Sequence, residues 1–264
     1  MAMSDTPFVL VSDTGPVRRL TLNQPQRKNA VPTSGWYEIA AALDEFAGSD
    51  QRVVIIDGAG EDFCSGADLA LDGLDELRSP AVGRIYMRGP ASAATALYRL
   101  AKPSIASVDG VAVGAGMNLA LGCDIVVATD RARLSEVFVK RGLTVDFGGT
   151  WLLPRIVGMA RARELALTGR MVLAGEALEM GMIARVVAPE LLAETVNELA
   201  LDLAAGAPLA QTFVKRGLSR SLDMSFEQAI AYENQAQAAL LASDDLREGI
   251  AAFREKREPK YRGR

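Results

Sequence analysis

Residues 102–119 of the chain read KPSIASVDGVAVGAGMNL, and this stretch is the most informative about the fold. The aliphatic run from Ser104 to Val108 predicts a buried strand. A glycine-rich turn follows, and a helix is expected from about Gly116 to Leu121. Backbone N–H groups at the start of a helix have no partner within it and lie at the positive end of its dipole. Such a unit can therefore hold an oxygen that gains negative charge.

The glycine spacing of this turn excludes two phosphate-binding motifs. Gly114-x-Gly116 lacks the third glycine of a dinucleotide-binding fingerprint, and no Gly-Lys-Ser/Thr follows, as a P-loop requires. A Gly-x-Gly pair after a strand is a weak signal alone, because close packing of the helix on the strand would also explain it.

Similar units recur on both sides of this stretch. Strands are expected at 8–11, 17–22, 52–57, 125–128 and 183–187, with one helix starting near Thr33 and another ending near Leu100. This rhythm of strand, turn and helix predicts an α/β fold with parallel strands and right-handed crossovers.

The last quarter of the chain has a different pattern. Helices are expected at 191–204, 209–218, 225–240 and 244–256, and the basic residues 256–264 are expected to form a tail. The change predicts a core of residues 1–189 followed by a helical region of residues 190–264.

The absence of histidine limits the chemistry more than any other feature of the composition. The 264 residues include no histidine and two cysteines, which excludes Ser-His and Cys-His nucleophiles and zinc sites built from histidine or several cysteines. Cys64 has no histidine to activate it, and both Cys64 and Cys123 are expected to be core residues. Acid and base roles therefore fall to carboxylates, Lys, Tyr, Cys or the backbone.

Charge and hydropathy indicate neither a nucleic-acid partner nor a membrane. The net charge is −4 without a basic stripe, and no apolar run is long enough to span a bilayer. The polar N-terminus lacks the layout of a signal peptide, so a cytoplasmic location is expected by default.

Two further stretches carry possible chemistry. Residues 63–69 read FCSGADL directly after a strand, and their small side chains would let a ligand approach the backbone, although a tight turn chosen for packing is an equal alternative. Glu136 and Asp146 lie in apolar surroundings, which raise a carboxyl pKa towards the range of a general acid or base. Taken singly, Glu136 is better explained by an ion pair with Lys140 or Arg141, and Asp146 is better explained by a helix cap.

Together, the three stretches resemble the enoyl-CoA hydratase/isomerase (crotonase) family in order and separation. Further segments resemble it too: LNQP at 22–25 with Asn29-Ala30, LGCDI at 121–125, and LALTG at 165–169 with residues 177–187. The resemblance covers nearly the whole chain. It implies a spiral core of ββα units, a C-terminal helical region that builds homotrimers or hexamers, and an acyl-CoA thioester substrate with no separate cofactor or metal.

The resemblance also implies roles for individual residues. The backbone N–H groups of Ala67 and Ala115 would form an oxyanion hole, with Gly114 in its turn. Coenzyme A would lie along Lys28, Ala30, Ser65, Gly66, Asp68 and Leu69, largely against backbone atoms. Lys28, and Lys256 of a neighbouring subunit, would face its phosphates.

The chain departs from the hydratase pattern at one of two glutamate positions. Asn118 stands at the first and Glu136 at the second, and an amide cannot take a proton from water. Asn118 is expected to hold a water or a polar substrate group, or to satisfy nearby backbone.

Residues 142–155, GLTVDFGGTWLLPR, resemble the ring-isomerising members of the phenylacetate pathway, in which an aspartate at the position of Asp146 transfers the proton. Those relatives usually have an apolar residue where this chain has Glu136. We therefore expect double-bond isomerisation through Asp146 assisted by Glu136, with hydration of a 2-enoyl-CoA and a non-catalytic acyl-CoA-binding scaffold as alternatives. An RNA-binding role is disfavoured by the net charge.

Overall fold

The structure, a computed structural model, describes residues 6–69 and 79–264. Its strands are β1 (Val9–Thr14), β2 (Val17–Leu22), β3 (Val53–Gly58), β4 (Ser104–Val108), β5 (Val111–Val113), β6 (Ile125–Thr129), β7 (Arg133–Ser135), β8 (Val172–Leu173) and β9 (Arg185–Val187). Its α-helices are α1 (Thr33–Gly48), α2 (Pro80–Tyr86), α3 (Arg88–Arg99), α4 (Ala115–Leu121), α5 (Gly149–Val157), α6 (Met159–Thr168), α7 (Ala174–Glu179), α8 (Leu192–Ala205), α9 (Pro208–Arg220), α10 (Phe226–Leu241) and α11 (Asp244–Glu255).

The main sheet has the strand order β1-β2-β3-β4-β6-β9, and all neighbours except β1 and β2 are parallel. Parallel strands need cover on both faces, and the side chains of β3 alternate accordingly. Val54 and Ile56 join the core that includes α1 and α4, while Val53 and Ile55 pack with Val196 and other residues of α8. The predicted α/β fold with parallel strands is confirmed.

A second, smaller sheet stands beside the first and positions the glycine-rich turn. β5 pairs parallel with β7, and β8 adds antiparallel to β7. The order β4, β5, α4 is followed by the order β6, β7, α5. A unit of two strands and a helix is therefore repeated along the chain.

Several predicted boundaries were wrong. The helix expected to end near Leu100 is divided at Met87 into α2 and α3, and β1 extends to Thr14 rather than ending at residue 11. Residues 111–113 were expected to be part of a turn, but they form a strand. Three residues are too few for the alternating hydrophobic pattern of a strand to be recognised in the sequence. The polar stretch around residues 70–78 lies outside the described residues.

The C-terminal part also differs from its prediction. α8 packs on the main sheet through Val196 and Ala200, so this helix belongs to the core, although the predicted boundary at 189/190 places it outside. Residues 256–264 do not form a free tail, because hydrogen bonds attach them to the rest of the protein. Arg52 Nη2 donates to Tyr261 O at 2.5 Å, and the buried Asp245 carboxylate accepts from the N–H groups of Arg262 and Gly263.

Candidate active site

The backbone N–H of Ala67 points away from Val31, the residue with which this segment pairs in an isolated β-bridge. Val31 N–H donates to Gly66 O at 2.8 Å and Asp68 N–H donates to Val31 O at 2.9 Å. In extended backbone, successive N–H groups point to opposite sides, so the Ala67 N–H faces the other way. It has no acceptor in the described part of the chain and remains available to a ligand.

The Ala115 N–H is the second donor of the expected oxyanion hole. Ala115 is the first residue of α4, where N–H groups lack intrahelical partners. A Cβ at Gly66 would lie 3.6 Å from Ala115 N and 2.9 Å from Val113 O, so glycine lets the two loops approach this closely. Gly114 precedes the helix with φ +59, which turns the chain from β5 into α4. The structure thus brings the two donor segments together.

The two loops expected to hold coenzyme A lie against each other. Ser65 N–H donates to Lys28 O at 2.9 Å, and Ser65 Oγ donates to the carbonyl of Arg27. The Asp68 carboxylate pairs with the Arg27 guanidinium at 2.7 Å, so it braces the loops. Lys28 is more than half exposed and its ammonium lies 3.1 Å from the Asp62 carboxylate.

Two smaller positions complete this region. Ala30 is buried and its N–H donates to Arg27 O, whereas Leu69 is about half exposed at the end of the described range, 48%. Asn29 was not among the predicted site residues, yet it is fully buried and donates to the carbonyls of Ala59 and Asp62. Asn29 has a φ of +54, a left-handed backbone conformation that the sequence does not indicate at a non-glycine position.

Glu136 and Asp146 both present carboxyl oxygens to the interior. Glu136 is 1% exposed, and its Oε1 and the Oδ1 of Asp146 are buried without a hydrogen-bond partner among the described residues. The simpler explanations do not hold within the described ranges. Glu136 forms no ion pair with Lys140 or Arg141, and the residue that caps α5 is Gly148 rather than Asp146.

The side chain of Asn118 connects the two acids. Its Nδ2 donates to the backbone carbonyl of Asp146 at 3.0 Å and lies 3.4 Å from Glu136 Oε2, while its own Oδ1 has no partner among the described residues. The three residues selected from the sequence are therefore one cluster.

The two carboxyls titrate at different pH. Burial raises the pKa of Asp146 to about 6. Burial also raises the pKa of Glu136 to about 7, against the hydrogen bond from Asn118, and the charge of Asp146 adds to the increase. The charge of one carboxylate opposes ionisation of the other, so the pair can hold one carboxylate and one carboxylic acid near neutral pH.

Comparison with known proteins supplies the family. The model of the enoyl-CoA hydratase/isomerase family matches residues 13–264. The chain belongs to this family. It is 38% identical to 1,2-epoxyphenylacetyl-CoA isomerase of Escherichia coli K12, over 97% of this chain and 99% of that protein. It is 37% identical to a probable enoyl-CoA hydratase of Rhodobacter capsulatus, over 93% and 94% of the two chains.

Solved structures confirm the crotonase fold. The crystal structure of a putative enoyl-CoA hydratase from Streptomyces coelicolor A3(2) superposes with a TM-score of 0.93 at 32% identity, covering 100% of this chain and 97% of that one. As a member of the family, the protein acts on acyl-CoA substrates. None of the helices in residues 6–69 and 79–264 is long and apolar enough to cross a membrane.

This enoyl-CoA hydratase/isomerase family member has a cavity beside the acidic cluster. About 590 Å³ in volume, it lies between α3, α4 and α5. Asn118 and Phe147 form part of its wall, and Tyr98 and Trp151, whose rings meet edge to face, form another part. Tyr98 is half exposed rather than part of the buried core.

Tyr86 is a residue of this family member that sequence reasoning missed. It is half buried at the end of α2, and burial together with the charges of Asp146 and Asp68 raises the pKa of its phenol. Its hydroxyl forms a hydrogen bond with Thr33, and the charges of both acids act on the phenol, so Tyr86 lies within reach of Asp68 and of Asp146. No motif in the sequence marks this position.

Neither cysteine of this enzyme contributes to the site. Both are buried, and burial raises the pKa of Cys64 and of Cys123 to about 12, which keeps them as unreactive thiols at neutral pH. The predicted assignment of both to the core is confirmed. Within the described ranges, no group of three or more His, Cys, Asp or Glu side chains could hold a metal ion.

The buried acid Glu136 predicts a pH-dependent cost in stability. The pKa of Glu136 is about 7 in the folded protein, compared with 4.5 for an unperturbed glutamate. Ionisation of this side chain is therefore less favourable in the folded protein than in the unfolded chain. Stability is therefore lost as pH rises from about 4.5 to 7, by about 3 kcal/mol. We expect Glu136→Gln to have a higher free energy of unfolding than the wild type at pH 8 and nearly the same at pH 4.5. Denaturant titration at both pH values measures this.

The exposed residue Glu179 provides the control for that experiment. Glu179→Gln should leave the difference between the two pH values unchanged. An equal pH response of the wild type and Glu136→Gln would show that Glu136 ionises in the folded protein as easily as in the unfolded chain.

Proposed function

We propose that the protein is an enoyl-CoA isomerase that moves the double bond of a 3-enoyl-CoA to the 2-position. The observation that carries this proposal is the acidic cluster, in which Asn118 contacts both acid-bearing segments and each acid has a buried carboxyl oxygen without a hydrogen-bond partner among the described residues. At neutral pH this arrangement offers a base and an acid at the same time. The residue at the other glutamate position of hydratases is Asn118, which offers neither.

The proposed reaction has two proton transfers. The Asp146 carboxylate takes a proton from C2, and the electron pair of that C–H bond moves towards the thioester oxygen to give a dienolate. The N–H groups of Ala67 and Ala115 hold this oxygen. Glu136 then donates its proton to C4, and the double bond forms between C2 and C3. Asp146 then releases its proton to water and Glu136 takes up a proton from water, which restores the starting state.

The substrate is proposed to enter as a coenzyme A thioester without any separate cofactor. The exposed ammonium of Lys28 and the basic Lys256 of a neighbouring subunit would face the phosphates, and the backbone of residues 65–69 would hold the pantetheine. The acyl chain would extend past Asn118 into the cavity lined by Tyr98 and Trp151.

Hydration of a 2-enoyl-CoA is the second candidate. Glu136 supports it, because this glutamate stands at the second catalytic position of hydratases. So do the relatives, since the Rhodobacter capsulatus protein is named a probable enoyl-CoA hydratase. Asn118 opposes it, because an amide cannot take the proton that a second glutamate would take from water.

Product analysis separates the two candidates. The purified protein would be incubated with 3-hexenoyl-CoA and, separately, with crotonyl-CoA, and the products followed by chromatography and mass spectrometry. Isomerisation leaves the mass of hexenoyl-CoA unchanged and moves its double bond. Addition of water to crotonyl-CoA would favour hydration, and binding of both thioesters without reaction would favour the non-catalytic scaffold.

The pH dependence of the proposed reaction follows from the two acids. Asp146 must be ionised, so kcat/KM should rise as pH increases through about 6. Glu136 must be protonated, so kcat/KM should fall as pH increases through about 7. In Glu136→Gln the residual activity should lose the fall at high pH. A wild-type profile that stays level above pH 7 would mean that Glu136 works in its ionised form.

The protein is further proposed to form homotrimers or hexamers through its helical region. Large apolar side chains are exposed there in the single chain, and four of them are more than two-thirds exposed: Leu218, Leu222, Phe226 and Phe253. Burial of such side chains between subunits would be favourable. Sedimentation equilibrium measures the mass of the assembly, and a monomer at micromolar concentration would refute this part of the proposal.

A further inference from the structure

The amide of Asn118 contacts both acid-bearing segments. Its nitrogen donates to the Asp146 carbonyl at 3.0 Å and lies 3.4 Å from a carboxyl oxygen of Glu136. Asn118 is fully buried in α4, the helix whose first N–H belongs to the expected oxyanion hole. A rigid helix therefore sets the position of both acids relative to Ala115.

The backbone that follows Asp146 requires such support. Phe147 has φ +51 and Gly148 has φ +79, and the left-handed region costs roughly 1–3 kcal/mol for a residue with a side chain. The Asp146 carbonyl accepts from Gly149 N–H at 2.9 Å as well as from Asn118. The ring of Phe147 packs on Trp36 of α1, with 5.5 Å between ring centroids. The turn that presents the acid is thus fixed from two sides.

Gly149 shows how closely the amide fits this turn. A Cβ at Gly149 would lie 2.3 Å from Asn118 Nδ2 and 2.6 Å from its Cγ and Oδ1. The side chain of Asn118 therefore occupies the space that any residue larger than glycine would need. The close contact leaves the amide little freedom to turn towards a substrate.

We propose that Asn118 is a positioning residue, whose amide nitrogen holds the Asp146 turn and the Glu136 carboxyl in place, rather than a residue that binds the substrate. The inference rests on the proposed function, because the two acids are the proton carriers of that reaction. A carboxylate at this position would lack the N–H donor and add a negative charge beside two acids. The hydrogen bond from Asn118 also stabilises the ionised form of Glu136. It therefore lowers the pKa of this carboxyl, whereas burial raises it.

A pair of substitutions separates hydrogen bonding from packing. Asn118→Ala removes the donor and leaves a cavity, and Gly149→Ala in the same chain adds a methyl group where the amide was. In the double variant the space is refilled but the donor is absent. Asn118→Asp keeps the shape of the side chain and also lacks the donor.

The double variant should unfold at a temperature closer to that of the wild type than Asn118→Ala does. Its kcat should nevertheless stay roughly ten- to a hundredfold below the wild type, with KM changed by less than threefold, because misplaced acids slow the chemical step. The fall of kcat/KM at high pH should move to higher pH, because Glu136 has lost its hydrogen bond. Asn118→Asp should be impaired at least as much as the double variant.

Two results would overturn the proposal. Recovery of kcat and of the pH profile in the double variant would show that Asn118 only fills space. A rise in KM with unchanged kcat would show that it binds substrate. Titration of the Glu136 side chain by carbon-13 NMR needs no turnover, so it tests the hydrogen bond even where the wild type isomerises no 3-enoyl-CoA. An unchanged titration midpoint in Asn118→Ala would then refute the inference, separately from the proposed function.

Discussion

Asp146→Asn is expected to lower kcat for isomerisation of a 3-enoyl-CoA by about 10³-fold or more. General acid–base catalysis typically contributes roughly 10²–10⁴, and here the lost group is the base that starts the reaction. Asparagine has the same shape but cannot accept the C2 proton at neutral pH. Steady-state kinetics with 3-hexenoyl-CoA measures the effect.

Glu136→Gln is the matched comparison for that variant. We expect a smaller loss, of about 10²-fold, because water can replace the acid at C4 more easily than it can replace the base at C2. Binding of a saturated acyl-CoA should be unchanged in both variants, since neither side chain is assigned to coenzyme A. A loss in Glu136→Gln that exceeds the loss in Asp146→Asn would reverse the two roles.

Gly66→Ala is expected to lower kcat by about 10²-fold while leaving the fold intact. The added Cβ would lie 2.9 Å from Val113 O in a backbone with φ +90, so the loop must move away from β5. That movement separates the Ala67 N–H from the Ala115 N–H. Loss of one oxyanion-hole donor typically costs roughly 10²–10³ in rate.

Gly15→Ala controls for backbone strain in that experiment. Gly15 also has a positive φ, +56, but a Cβ there meets nothing within 4 Å. Its substitution should lower stability by roughly 1–2 kcal/mol without changing kcat. If Gly66→Ala has wild-type activity and a melting temperature similar to that of Gly15→Ala, the assignment of the Ala67 N–H to the oxyanion hole is wrong.

The parts of the fold that depend on local pattern could be predicted from the sequence. Four aliphatic residues in a row at Val53–Ile56 are typical of a strand covered on both faces, and the structure buries all four. A glycine-rich turn was predicted between a strand and a helix, and Gly114 joins β5 to α4, although the helix begins at Ala115 and residues 111–113 are a strand. Glu136 and Asp146 were selected because apolar neighbours raise a carboxyl pKa, and the structure gives both that shift.

Other parts depend on contacts between distant segments and were not predictable in this way. The charges of Asp146 and Asp68 act on the phenol of Tyr86, and nothing in the seven residues of α2 indicates that these groups are near one another. The role of Asn29 depends on carbonyls about 30 positions later. The C-terminal residues were expected to be free because they are basic and interrupted by proline, but the buried Asp245 binds their N–H groups.

The position of deuterium in the product tests the central claim, that Asp146 and Glu136 act as base and acid over one oxyanion hole. The wild type would convert 3-hexenoyl-CoA in deuterium oxide, and the product would be analysed by NMR. Since Glu136 exchanges its proton with solvent, the account predicts 2-hexenoyl-CoA with one deuterium at C4 in early turnovers. A product without deuterium at C4 would show that one residue carries the same proton from C2 to C4. A 3-hydroxyacyl-CoA as the first product would show that the enzyme is a hydratase.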